Sequence, residues 1–265
     1  MVFKIPIYQV DAFTSTPFSG NPAAVCLMDM ELPDSILQSI ASENNLAETA
    51  FIWPQGDRYK IRWFTPSVEV DLCGHATLAS AHVLFTQKDI GSRTICFDSR
   101  SGLLFVEQNE DGLLTLDFPV DLFQSLPIPD GLEAALGTDI LDCVKGKSDY
   151  LVRIKDQNTL QNIQPNLSLI KTLPARGLIV TAPGDHCDFV SRCFFPQSGI
   201  DEDPVTGSAH TTLTPYWADI LKKRYFVAKQ LSARGGTLNC EMSADRVLIS
   251  GNVVLFLEGT IFVSL

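Results

Sequence analysis

The sequence has no apolar run near the ~18 residues that a membrane-crossing helix needs. A clean run such as Val253–Leu257 is only as long as a strand. Basic residues are scarce: 20 Lys and Arg stand against 31 Asp and Glu, a formal charge of −11. That excess argues against a nucleic-acid partner, whose phosphates need a basic face, and against docking on anionic lipid. No Gly-x-Gly-x-x-Gly and no phosphate-binding P-loop occurs, so nucleotide binding has no support. Ser208-Ala209-His210 lacks the Gly-x-Ser-x-Gly setting of a hydrolase nucleophile. Cys73-Gly74-His75, with His82, lacks a second ligand pair at zinc spacing, so no metal is expected. Charged residues make up only 19% and hydrophobic residues 45%, which excludes disorder and supplies a core. The seven cysteines are an odd count, and the opening MVFKIPIYQV is not laid out as a secretory leader. Free thiols and a cytoplasmic location are the expectation.

What is present is a chain of 265 residues, enough for one large domain or two smaller ones. Short β-type runs alternate with Gly, Pro, Asn and Asp from Ile5–Phe13 onward, and Asp111-Gly112 marks a hairpin between two of them. Helices are fewer. Pro33–Asn44 places Ile36, Leu37 and Ile40 on one face. Gly74–Thr86 is small and apolar nearly all round, which predicts burial. Gly207–Leu221 begins similarly, and Pro215 inside it predicts a kink or a local break. The pattern reads as α+β without alternating βαβ units, each sheet wrapped on a helix. Residues 119–150 are rich in Pro and Gly, which divides the chain into an N-terminal lobe, 1–118, and a C-terminal lobe, 119–254. A last strand at about 255–265 is expected to return to the first lobe.

A weak repeat runs through this division. Arg62-Trp63-Phe64-Thr65-Pro66 leads through acidic residues to Asp71 and then to Gly74-His75-Ala76. Arg192-Cys193-Phe194-Phe195-Pro196 leads through Asp201, Glu202 and Asp203 to Gly207-Ser208-Ala209. The arginines lie 130 residues apart and the glycines 133, about half the chain. Such spacing suggests duplicated lobes. Each copy ends at a helix start, where backbone N–H groups lack partners and the dipole is positive. Two such starts facing one another across an interlobe cleft would cradle a small anion.

Four motifs carry a resemblance. Val10-Asp11-Ala12-Phe13 with Phe18-Ser19-Gly20-Asn21-Pro22-Ala23, Asn45-Leu46-Ala47-Glu48-Thr49, Asp71-Leu72-Cys73-Gly74-His75-Ala76-Thr77 and Glu202-Asp203-Pro204-Val205-Thr206-Gly207-Ser208-Ala209 resemble, in this order, the phenazine-biosynthesis PhzF-like family. The resemblance implies a diaminopimelate-epimerase-like fold of two pseudo-symmetric lobes, and an isomerase acting on a small anionic substrate without metal or organic cofactor, commonly as a homodimer. It also implies that Glu48 transfers the proton. His75, Asp203 and Ser208 then hold substrate and shape the transfer, while Gly74 and Gly207 offer backbone N–H groups. Ala47 departs from the serine that many members carry there.

The residues themselves add physical detail. Glu48 lies among Leu46, Ala47 and Ala50, where burial would raise a carboxyl pKa towards the range of a proton shuttle. His75, at a helix opening, is expected neutral. The Asn21-Pro22 turn is a candidate cleft lining. In two-cysteine epimerases of the wider superfamily, paired thiols move the proton. Cys73 has the first thiol position here, but the repeat puts Thr206 at the second, and a threonine hydroxyl is too weak an acid. An amino-acid racemase is therefore the weaker alternative, and a non-catalytic regulatory protein on the same fold is another.

Overall fold

The computed structural model describes residues 2–88 and 90–264. The chain forms two compact units, Met1–Asp117 with Ser250–Leu265, and Phe118–Ile249. The return to the first unit thus begins at Ser250, a few residues before the expected point. Leu265, the end of the expected last strand, lies outside the described residues.

In chain order the first unit contains β1 (Val2–Ala12), β2 (Asn21–Leu27), α1 (Asp34–Asn44), β3 (Glu48–Gln55), β4 (Arg58–Phe64), β5 (Glu69–Val70), α2 (Gly74–Gln87), β6 (Thr94–Ser99), β7 (Gly102–Gln108) and β8 (Leu114–Pro119). The second continues with β9 (Gln124–Ser125), α3 (Leu132–Leu136), β10 (Asp142–Lys145), β11 (Asp149–Arg153), α4 (Gln157–Asn162), α5 (Leu167–Ile170), β12 (Gly177–Pro183), β13 (Phe189–Phe195), β14 (Ile200–Asp203), α6 (His210–Leu221), β15 (Tyr225–Gln230), β16 (Gly236–Ser243) and β17 (Arg246–Gly251). The last strand, β18 (Val253–Ser264), pairs antiparallel with β1. The Pro- and Gly-rich stretch expected as a connector therefore carries β9, α3 and β10, which open the second unit.

The two units share one topology. In the first, β2 and β3 are parallel across α1, β3 and β4 antiparallel, β4 and β6 parallel across α2, and β6 and β7 antiparallel. In the second, β11 and β12 are parallel across α4 and α5, β12 and β13 antiparallel, β13 and β15 parallel across α6, and β15 and β16 antiparallel. The βαβ crossovers that the pattern did not predict are thus present twice in each unit. They escape a linear reading because an antiparallel strand follows each crossover, so helices never alternate singly with strands.

The repeated arginines explain the sequence match. Arg62 on β4 binds Glu69 on β5 through Nε and Nη2 at 2.7 and 2.6 Å and lies over the Phe64 ring. Arg192 on β13 binds Glu202 on β14 at 2.7 and 2.9 Å and lies over Phe194. Each fork is a bidentate brace between a long strand and a short one. The matching acids are therefore Glu69 and Glu202; Asp71 is exposed.

As the pattern predicts, α2 is buried along almost its whole length, against β1, β2, β3, β7 and β18. Its buried hydroxyls are satisfied within the helix: Thr77 Oγ1 donates to Cys73 O at 2.6 Å and Ser80 Oγ to Ala76 O at 2.7 Å. The second helix differs from expectation at its start, and Pro215 makes no local break in it. It begins at His210, because Gly207–Ala209 form a turn closed by short-range bonds such as His210 N to Gly207 O. It also runs through Pro215 to Leu221. Proline supplies no N–H for Thr211 O, and the N–H of Asp121 bonds that carbonyl instead, at 3.2 Å.

Candidate active site

Each unit positions one set of the polar residues that the sequence singles out. In the first unit α1 ends on Asn45, whose left-handed backbone (φ 49°) an asparagine tolerates well. The chain then turns straight into β3, and Glu48 is its first residue. Glu48 faces Ala23 across the parallel β2–β3 pair. Asn21, two residues earlier on β2 and fully buried, lies on the same face of the sheet. The Glu48 side chain is only 13% exposed.

Opposite it stands His75, the second residue of α2. Its Nε2 lies 3.2 Å from Glu48 Oε2, and its Nδ1 lies 3.5 Å from Cys73 Sγ. Burial draws the imidazole down to about 3, so the ring is neutral near pH 7. A neutral ring carries one N–H. Placed on Nε2, it donates to the Glu48 carboxylate and leaves Nδ1 to accept the Cys73 S–H. Cys73, Gly74 and His75 together open α2: Cys73 is the N-cap and its carbonyl accepts from the Thr77 N–H. The backbone N–H groups of Gly74 and His75 belong to the first turn, where no helical partner exists. Cys73 is buried, and its thiol meets the histidine. Glu48, Cys73 and His75 offer ligand atoms within 4.8 Å of one another and could also hold a divalent cation.

In the second unit Asp203 ends β14, and Thr206, Gly207 and Ser208 follow in the turn before α6. Thr206 Oγ1 donates to Asp203 Oδ2 at 2.5 Å. The fully buried Gln230 accepts from Thr206 N at 2.8 Å and donates to Asp203 O at 2.7 Å and Thr206 Oγ1 at 3.2 Å. The hydroxyl at the second-thiol position is therefore engaged on both its donor and acceptor sides. His210 Nδ1 donates to Thr206 O at 2.8 Å. Ser208 Oγ accepts from Arg176 Nη2 at 3.2 Å, and Arg176 forks onto Asp149.

Arg176, Asp149, Gln230 and His210 were not singled out in the sequence. The strand register could have marked the first. Phe51 pairs with Arg62, and Val180 pairs with Arg192. Superposing the repeated arginines places Gly177 at the position of Glu48 and Arg176 at that of Ala47. One copy thus carries an acid against a histidine, and the other a cation against a serine.

The comparisons agree with this architecture. The sequence matches the PhzC-PhzF family of phenazine biosynthesis-like proteins over residues 10–259. It is 49% identical, over 97% of this chain and 99% of the other, to a Pseudomonas aeruginosa protein named as an uncharacterized isomerase. The crystal structure of a phenazine biosynthesis PhzF-family protein from Enterococcus faecalis superposes with a TM-score of 0.96 at 47% identity, covering 98% of this chain and all of that one. A probable proline racemase from Agrobacterium radiobacter shares the fold at 11% identity, with a TM-score of 0.64 over 97% of this chain and 92% of the other. The diaminopimelate-epimerase-like fold read from the sequence is the fold of these neighbours. With its motifs, its duplicated topology and these matches, the chain belongs to the PhzC-PhzF, phenazine biosynthesis-like family.

Proposed function

We propose that the protein is an isomerase that moves a proton between carbons of a small carboxylate-bearing metabolite, with Glu48 as the acid/base. The observation that carries this reading is the largely buried Glu48 carboxyl, 3.2 Å from a histidine that burial keeps neutral. A carboxylate held away from bulk water takes a proton from carbon more readily than a solvated one. A neutral His75 orients the carboxyl without putting a positive charge beside it. In the second unit Ser208 offers a hydroxyl and Gly207 a backbone N–H to an electron-rich oxygen, and Asp203 an acceptor. Donors aimed at developing negative charge are the usual source of stabilisation in such reactions.

The duplicated architecture argues against two-base inversion. Gly177 stands where a second Glu48 would be. Thr206 stands where a second Cys73 would be, with its hydroxyl committed to Asp203. A single base that removes and returns the proton suits a double-bond or allylic shift. The test is a metabolite screen in heavy water, comparing wild type with Glu48→Gln. Solvent deuterium should enter a substrate with the wild type and not with the folded variant. Exchange that persists in Glu48→Gln would remove Glu48 from the mechanism.

A further inference from the structure

We infer that Arg176, together with Ser208, forms a carboxylate receptor in the second unit, with Asp149 as the residue that holds the arginine in place. The inference rests on the proposed isomerase reading and names the part of the substrate that this unit recognises.

The arginine is fixed from three sides. Its backbone N–H donates to Ser148 O at 2.8 Å. Its Nε donates to Asp149 Oδ1 at 3.0 Å, and its Nη2 to Asp149 Oδ2. Asp149 is itself almost fully buried, so this fork has a rigid base. Below the guanidinium lies the Phe195 ring, 4.8 Å from Cζ. Gly177 makes that stacking possible: a Cβ there would stand 2.2 Å from Phe195 Cδ1. Glycine is thus required beside the arginine so that the ring can lie against the chain.

So held, the guanidinium retains unused capacity. Nη2 donates to Ser208 Oγ at 3.2 Å, and among the described residues Nη1 makes no hydrogen bond, while the Asp203 carboxylate also acts on the guanidinium. The side chain is 42% exposed. A serine hydroxyl has one proton and two lone pairs. With a lone pair taken by Arg176, the Ser208 proton is directed away, as a donor to an incoming oxygen. Nη1–H and Ser208 O–H are together a planar cation and a hydroxyl suited to a carboxylate, for which arginine geometry is better matched than lysine. Asp149 and Asp203 both act on the guanidinium, so recognition comes from directed donors rather than from the arginine's charge. It should discriminate a carboxylate from an uncharged carboxamide of the same shape.

The experiment is NMR of the full chain labelled with ¹⁵N-arginine, titrated with benzoate and, separately, with benzamide. The Arg176 Nε signal is identified by its loss in Arg176→Lys and its displacement in Asp149→Asn. Benzoate should move it saturably and benzamide should not. Ser208→Ala should weaken the benzoate response by about tenfold, the loss of one charge-assisted hydrogen bond. Glu48→Gln should leave it unchanged. An Arg176 signal indifferent to benzoate, or equally responsive to benzamide, overturns the inference even if Glu48→Gln abolishes exchange. Exchange that survives Glu48→Gln while benzoate still moves Arg176 overturns only the isomerase mechanism.

Discussion

His210 offers a quantitative check on the second unit, because it is fully buried and plays no part in the proposed chemistry. Its ring stacks on Phe189 with centroids 6.0 Å apart, and Nδ1–H donates to Thr206 O. Nε2 is buried with no partner among the described residues. Charging the ring would put a second N–H where nothing accepts it. Burial accordingly lowers the imidazole from 6.5 to about 4, although the Thr206 carbonyl pulls the other way. The sign follows from linkage: the unfolded chain takes up this proton near pH 6.5, the folded chain only near pH 4. Stability is therefore full above pH 6.5 and is lost as pH falls towards 4. Between pH 7 and pH 5 the loss amounts to about 2 kcal/mol, from about 1.4 kcal/mol per pH unit for one proton. His210→Phe keeps a ring of similar shape and abolishes the titration, at a roughly pH-independent cost of about 1 kcal/mol for the lost hydrogen bond. Urea unfolding followed by fluorescence of Trp217, which is stacked on Phe189, measures this at pH 7 and pH 5. The pH-dependent loss should be about 2 kcal/mol smaller in the variant. His75 titrates identically in both proteins and cancels. Equal losses in wild type and His210→Phe would refute the reasoning.

Two further outcomes follow from the same geometry. Cys73→Ala should lower kcat by less than about tenfold, since the thiol only supports His75, whereas Glu48→Gln should cost the 10²–10⁴-fold typical of a lost acid/base; a larger effect at Cys73 would favour the thiol or a metal held by Glu48, Cys73 and His75 as the reactive centre. Gly177→Ala should destabilise the second unit by about 1–3 kcal/mol in thermal unfolding, because its methyl would meet the Phe195 ring and the Phe194 carbonyl; unchanged stability would mean that the ring is not pressed against this backbone.

Much was legible in the sequence because the information was local. The all-round small and apolar character of Gly74–Thr86 needs no knowledge of its neighbours to predict burial, and Asp111-Gly112 specifies its own turn. The repeated arginines were visible as letters half a chain apart, and the four motifs were enough to mark Glu48, Cys73, His75, Asp203, Thr206 and Ser208. Tertiary structure decided what depends on groups distant in sequence. The pairing of Glu48 with His75 requires β3 and α2 to meet, and neither sequence neighbourhood contains the other. The parallel crossovers depend on which strand edges find each other, a choice made by sheet pairing rather than by period. Pro215 does not interrupt its helix, because the N–H of Asp121, 94 residues away, supplies the bond to Thr211 that proline cannot. Arg176 was an unremarked surface cation in the sequence. Only a fold that buries Asp149 and lays Phe195 against Gly177 holds it rigidly beside Ser208.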